Sequence, residues 1–133
     1  MNQLIANIFE YVIEYFIVFR IFAKTKEIME ESVQKRLLVE KVADVVCNHY
    51  GVDVNDIFSL TRKRPVSLAR EATIHILHCD YKMSLSYLAN MFERTTRWIC
   101  DICSTKKLHI ELYDDCMEEH DILLDLIKKE LSL

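Results

Sequence analysis

The sequence contains one glycine, Gly51, and one proline, Pro65, in 133 residues. These two residue types punctuate chains most strongly, so their scarcity leaves few places where a helix has to stop and little material for the tight turns of a β-protein. The fold class implied is all-α. A chain with one glycine also has no glycine-rich phosphate loop, and no nucleotide is expected. The sequence shows no signal peptide ahead of its five cysteines, Cys47, Cys79, Cys100, Cys103 and Cys116. They do not read as a paired disulfide framework, and the expectation is free thiols in the reducing cytoplasm. No Ser/His/Asp or Cys/His pairing emerges from the spacing, so no catalytic residue, no cofactor and no enzymatic activity are expected.

What is present is 51% apolar and 29% charged residues, enough for one compact domain with an extension. The boundary is drawn as a helical extension over 1–34 and a domain over 35–133. Between about 2 and 23, Leu4, Ile5, Ile8, Phe9, Val12, Ile13, Phe16 and Phe19 recur at helical spacing. Gln3, Asn7, Glu10 and Glu14 form a narrow opposite stripe. So wide an apolar face has to be covered, either by packing on its own domain or by an intermolecular helix pair that makes a homodimer through residues 2–23. Membrane insertion is disfavoured, because Glu10, Glu14 and Arg20 interrupt the stretch and each charge at a bilayer centre costs about 2.5–3.5 kcal/mol.

The net charge of -4 argues at first against a nucleic-acid partner. Its distribution argues otherwise. From Ser59 to Leu108 nine Lys/Arg face four acids, a local balance of +5, while the rest of the chain stands at -9. The last 25 residues alone hold two basic and eight acidic groups.

The charged stretch Lys24 to Arg36 reads as helical, and Leu38, Val42, Val45, Val46 and His49 line a face of a helix that Gly51 closes. Asp53 is the expected N-cap of a short helical turn in VNDIF. Arg62, Lys63 and Arg64 fall in a segment without apolar periodicity, an exposed cationic loop, and Pro65 starts the next helix. That helix, about 66–79, is expected to bury Ala69, Ala72, Thr73, Ile76 and Leu77 and to leave Arg70, Glu71, His75 and His78 nearer the outside. The final helix, about 115–131, packs through Met117, Leu123, Leu124, Ile127 and Leu131.

Between these lie SLSYLANMF and TTRWICDICSTKK, two short helices with a tight connection and the dimensions of a helix-turn-helix over 84 to about 106. Ser84 and Thr95 are good N-caps. Leu85, Leu88, Ala89 and Phe92 face inward, and Trp98, Ile99 and Ile102 anchor the second helix. This leaves Arg94, Thr96, Arg97 and Asp101 outward near its N-terminus, where a recognition helix meets base edges and phosphates. Short helix pairs with polar outer faces are common, but the second basic cluster, Arg62 to Arg64, gives long cations that reach a neighbouring minor groove or its phosphates.

On these residues the stretch from about Leu38 to Leu131 resembles the C-terminal DNA-binding domain of the bacterial replication initiator DnaA, a Trp-repressor-like helical fold, and stand-alone DnaA-like proteins. The matching segments are VDVNDIFS, TRKRPVSLAREA, SLSYLANMF and ERTTRWICDI. The resemblance implies double-stranded DNA as partner in replication or transcription. It also implies Arg62 in the minor groove, Arg70 and Ser84 to Leu85 against backbone, and a recognition helix entered at Thr95 in the major groove. The family's Gly-Gly-Arg-Asp-His-Thr-Thr-Val signature is altered here. Glu93 precedes Arg94, Thr95 takes the Asp place, Thr96 the His place and Arg97 a Thr place, so the family's usual recognition box does not carry over. The other functional class is a protein-interaction module that keeps the fold without DNA.

Cys100 and Cys103 make a C-x-x-C without a second pair, and helical spacing puts both on one buried side as small apolar residues. His75 and His78 stand one turn apart on what reads as an exposed face. No metal site is expected.

Overall fold

The computed structural model describes residues 2–132; Met1 and Leu133, at the ends of the two expected segments, lie outside the described residues. All regular structure among them is helical. Helix α1 runs from Asn2 to Tyr50 without interruption. The sequence separates an apolar, a charged and a core-facing stretch here, but no glycine or proline falls between residues 2 and 50, and the backbone therefore has no reason to stop. The chain divides into two units, residues 1–37 and 38–133.

The first unit is the N-terminal part of α1. Its large apolar side chains are exposed on every side of the helix, among them Phe9 at 66% and Phe22 at 71%. Among the described residues no helix is long and apolar enough to cross a membrane.

The second unit comprises the end of α1, α2 (Val54–Ile57), α3 (Val66–His75), a π-turn (Ile76–Asp80), α4 (Leu85–Met91), α5 (Thr96–Leu112) and α6 (Asp114–Leu131). Its core takes Val39, Val42, Ala43, Val46 and Cys47 from α1, one residue round from the expected stripe, for His49 is exposed. Ile57, Leu88, Phe92, Ile99, Leu123 and Ile127 join the same core from the other elements. Helix α6 packs through Leu123 and Ile127, with Leu124 and Leu131 half-buried, whereas Met117, expected inside, is 48% exposed.

Helix α3 differs most from what its periodicity predicts. It is covered on more than one side, so Arg70 at 3% and His75 at 4% exposure are buried rather than outward. The helix ends at His75 and widens into the π-turn, which moves the following residues off the α-helical period. Periodicity assigns a helix one buried face, and a helix enclosed by its neighbours breaks that assumption.

Local signals for helix ends are realised closely. Gly51, at φ 69°, closes α1, with Val52 N–H donating to Cys47 O at 3.0 Å and Gly51 N–H to Asn48 O at 3.4 Å. Asp53 Oδ1 accepts from Asn55 N–H at 2.9 Å, as an N-cap should. Pro65 is the residue before the first turn of α3. At the far side Tyr50 donates to Glu119 of α6, holding the end of α1 against the final helix.

Candidate nucleic-acid interface

The site is built on two short helices and the loop beside them. Ser84 Oγ accepts from Tyr87 N–H at 3.2 Å and starts α4, and Thr95 Oγ1 accepts from Trp98 N–H at 3.2 Å and starts α5. The turn between them reproduces the closure at Gly51. Arg94 N–H donates to Ala89 O at 2.9 Å and Glu93 N–H to Asn90 O at 3.4 Å, with Glu93 at φ 52° in the left-handed position that usually holds glycine. Leu88, Ala89 and Phe92 are buried beneath this turn and Leu85 is half-buried. On α5, Ile99 is fully buried and Trp98 and Ile102 are half-buried, which fixes the helix by one side. Helix α5 continues to Leu112, six residues beyond the expected end.

The free side of α5 carries Thr96, Arg97 and Asp101, all exposed, so the acidic α6 does not cover them. Arg94 is half-buried and its guanidinium carbon lies 4.9 Å from the Trp98 ring centroid, a cation–π contact across one turn that holds the charge at the surface.

Two contacts that periodicity does not foresee hold the basic loop, one to the end of α4 and one to α3. Phe58, at the loop's start, stacks on Phe92 at the end of α4 with centroids 4.9 Å apart and planes at 22°. Arg70 reaches back from α3 into the loop. Its Nε donates to Ile57 O at 2.7 Å, Nη1 to Thr61 O at 2.8 Å, and Nη2 to Ser59 O at 2.9 Å and Asp56 O at 3.4 Å. Expected as an outward residue meeting DNA backbone, Arg70 instead spends its donors on the protein's own carbonyls. Burial, and then the positive charge of Arg94, lower its pKa from the ordinary arginine value.

The outcome is one open cleft lined by Arg62, Arg64, Ser67, Arg70, Glu71, Glu93, Arg94, Thr95 and Trp98. The loop arginines and the N-terminus of α5 therefore share a surface. Lys63 and Arg97 are exposed but are not part of the cleft lining, as is Ser84. Glu71 and Glu93, which the sequence reading leaves out of the site, place two carboxylates among four arginines. Among the remaining polar residues, Cys100 is exposed and Cys103 buried, so the C-x-x-C pair does not share one side. Burial and the neighbouring Cys79 thiol push the Cys103 thiol up to about 12.

Residues 39–103, which carry the end of α1, the basic loop, α4 and the first half of α5, match the family model of the bacterial DnaA protein helix-turn-helix. The chromosomal replication initiator protein DnaA of Pseudothermotoga lettingae is 34% identical over 61 residues, covering 46% of this chain and 14% of that protein. The chain thus matches a small part of that relative's length.

Proposed function

We propose that the DnaA C-terminal-like helix-turn-helix domain of this chain binds double-stranded DNA. In this reading α5 enters the major groove N-terminus first and the 62–64 loop lies along the adjacent groove or its phosphates. The observation that carries the reading is the shared cleft, in which Arg62 and Arg64 from the loop stand with Arg94 and Thr95 from the helix pair. Arg97 and Thr96, exposed on the first turn of α5, are the side chains free to meet base edges, and Asp101 one turn on discriminates by repelling acceptor-rich edges. Ser84 and Leu85, at the start of α4, approach the backbone. Arg70 positions the loop and makes no contact of its own. The reading assigns the protein binding in replication or transcription and no reaction, and it places the protein in the cytoplasm with DNA. A homodimer through the exposed apolar helix 2–23 would double the contacts.

Fluorescence anisotropy on a labelled random duplex tests it. If Arg62, Lys63, Arg64 and Arg94 neutralise phosphates, the logarithm of affinity falls against that of salt with a slope of about -3 to -4 for each copy bound, each phosphate contributing about 0.9. Arg97→Ala is expected to cost about 1–3 kcal/mol on preferred sequences and little on others, as a base contact does. Absence of binding at about 50 mM salt sinks the proposal and favours a protein-interaction module.

A further inference from the structure

We infer that His75, Asp80 and His120 form a binding site for a divalent transition-metal ion, zinc in the first place, which ties α6 to the end of α3. One ligand atom from each of the three lies within 4.8 Å of the others. They come from three elements: His75 ends α3, Asp80 ends the π-turn and His120 lies two turns into α6. In an ordinary α-helix a residue five positions on lies about 140° round the axis, away from the first. The wider i→i+5 bonding of a π-turn, seen in Tyr81 N–H donating to Ile76 O at 3.2 Å, brings position 80 back towards position 75.

Two features mark this as more than a chance cluster. His75 is 96% buried by its 4% exposure, and its Nδ1 has no hydrogen-bond partner among the described residues. Buried polar atoms are nearly always satisfied, and an imidazole left without a partner in a core calls for an explanation that a bound ion supplies. His120 Nε2 lies 3.4 Å from Asp80 Oδ2, with side chains only 13% and 30% exposed. That is long for a charge-assisted hydrogen bond of about 2.7–2.9 Å. It is close to the edge, about 3.4 Å, of a tetrahedron with metal–ligand bonds of about 2.0–2.1 Å, and the third ligand atom, within 4.8 Å, would close in on binding. The His75 and His120 rings meet edge to face at 5.2 Å and 69° and do not stack.

Two imidazoles and one carboxylate suit zinc and leave a fourth position to water. His75 and His120 also line a small cavity with Glu119, which adds negative charge, and Lys106, which opposes it; Asp80 lies outside that lining. His78, the partner that sequence spacing offers to His75, is engaged elsewhere, with Nδ1 2.8 Å from Met83 O. None of this depends on DNA binding, and an ion here would stiffen the packing of α3 and α6 behind the proposed interface.

The test uses the full chain, stripped with EDTA, and zinc alone. Competition against a chromogenic chelator is expected to show one equivalent bound, and the melting temperature to rise with zinc and fall again with EDTA. His120→Asn and Asp80→Asn, chosen because these side chains are less buried than His75, are expected to weaken binding by more than the roughly 10–100-fold that loss of an outer-shell partner costs. His109→Asn should bind as the parent does. Imidazole resonances in nitrogen–proton spectra of the unmodified chain should shift on zinc for His75 and His120 and stay put for His49 and His109, a readout that holds even if a variant fails to fold. No bound equivalent, undiminished binding in both ligand variants, or shifts confined to other histidines would overturn the site.

Discussion

Arg70 carries more of the proposed interface than any residue that would touch DNA, because its guanidinium joins the carbonyls of Asp56 and Ile57 in α2 to those of Ser59 and Thr61 in the loop. Removing it leaves those carbonyls partly unsatisfied inside the fold, and hydrogen bonds to charged groups contribute about 1.5–3 kcal/mol each without adding linearly. Arg70→Ala is therefore expected to destabilise the domain by about 2–4 kcal/mol in urea unfolding. Arg70→Lys should recover little, since an ammonium lacks the planar fork that spans several acceptors. Arg62→Ala, on an exposed loop residue, should leave stability within about 0.5 kcal/mol and weaken DNA binding. Equal stability losses for the two would mean that the loop is not held by Arg70. The cysteines separate in the same way. Burial pushes Cys47 up to about 11 and Cys103 up to about 12, so both stay thiols at pH 8. Alkylation followed by mass spectrometry should label exposed Cys100 first and the other two only on unfolding. A Cys103 labelled as fast as Cys100 would contradict the packing of α5.

At the scale of elements, α1 and α4 end in the same hydrogen-bonded turn, once with Gly51 and once with Glu93 in the left-handed position. A side chain there costs about 1–2 kcal/mol, while glycine brings about 0.5–1 kcal/mol of extra chain entropy to lose on folding. Glu93→Gly is accordingly expected to stabilise the domain by about 0.5–1 kcal/mol, and to strengthen DNA binding by removing a carboxylate from the arginine cleft. Thermal unfolding checks the first effect; a lower melting temperature would show that the Glu93 side chain makes interactions worth more than its backbone cost. The helix ends were legible in the sequence because their signals are local: Asp53, Ser84 and Thr95 each cap a helix within three residues of themselves. The two-helix motif and its basic loop were legible for the same reason. What escaped were contacts between distant positions, the Arg70 clamp thirteen residues back to Ile57 and the Phe58–Phe92 stack. The π-turn escaped too, because it changes the period on which the placement of the residues after His75 rests. The helical reading of the apolar, charged and core-facing stretches up to Gly51 was legible because no glycine or proline interrupts them, and they form the one helix α1.

At the scale of the whole molecule, the 1–37 unit holds apolar side chains that a chain in water does not leave uncovered. Ile8, Val12, Ile13 and Phe16 are between 44% and 66% exposed, and over residues 3–19 the stripe opposite them is Gln3, Asn7, Glu10 and Glu14. Burial of each such side chain in a helix pair contributes about 1.5–3 kcal/mol when complete, enough over several positions to hold two copies together at micromolar concentration. Sedimentation of the full chain should then give twice the 15.8 kDa of one copy. Deleting residues 1–30, or introducing Ile13→Glu with Phe16→Glu, should give one copy without changing the unfolding of the 38–133 unit. Because a dimer engages twice the phosphates, the same deletion should also roughly halve the salt slope of DNA binding. A full chain that sediments as one copy, or a slope indifferent to the deletion, would mean that this helix serves something other than self-association.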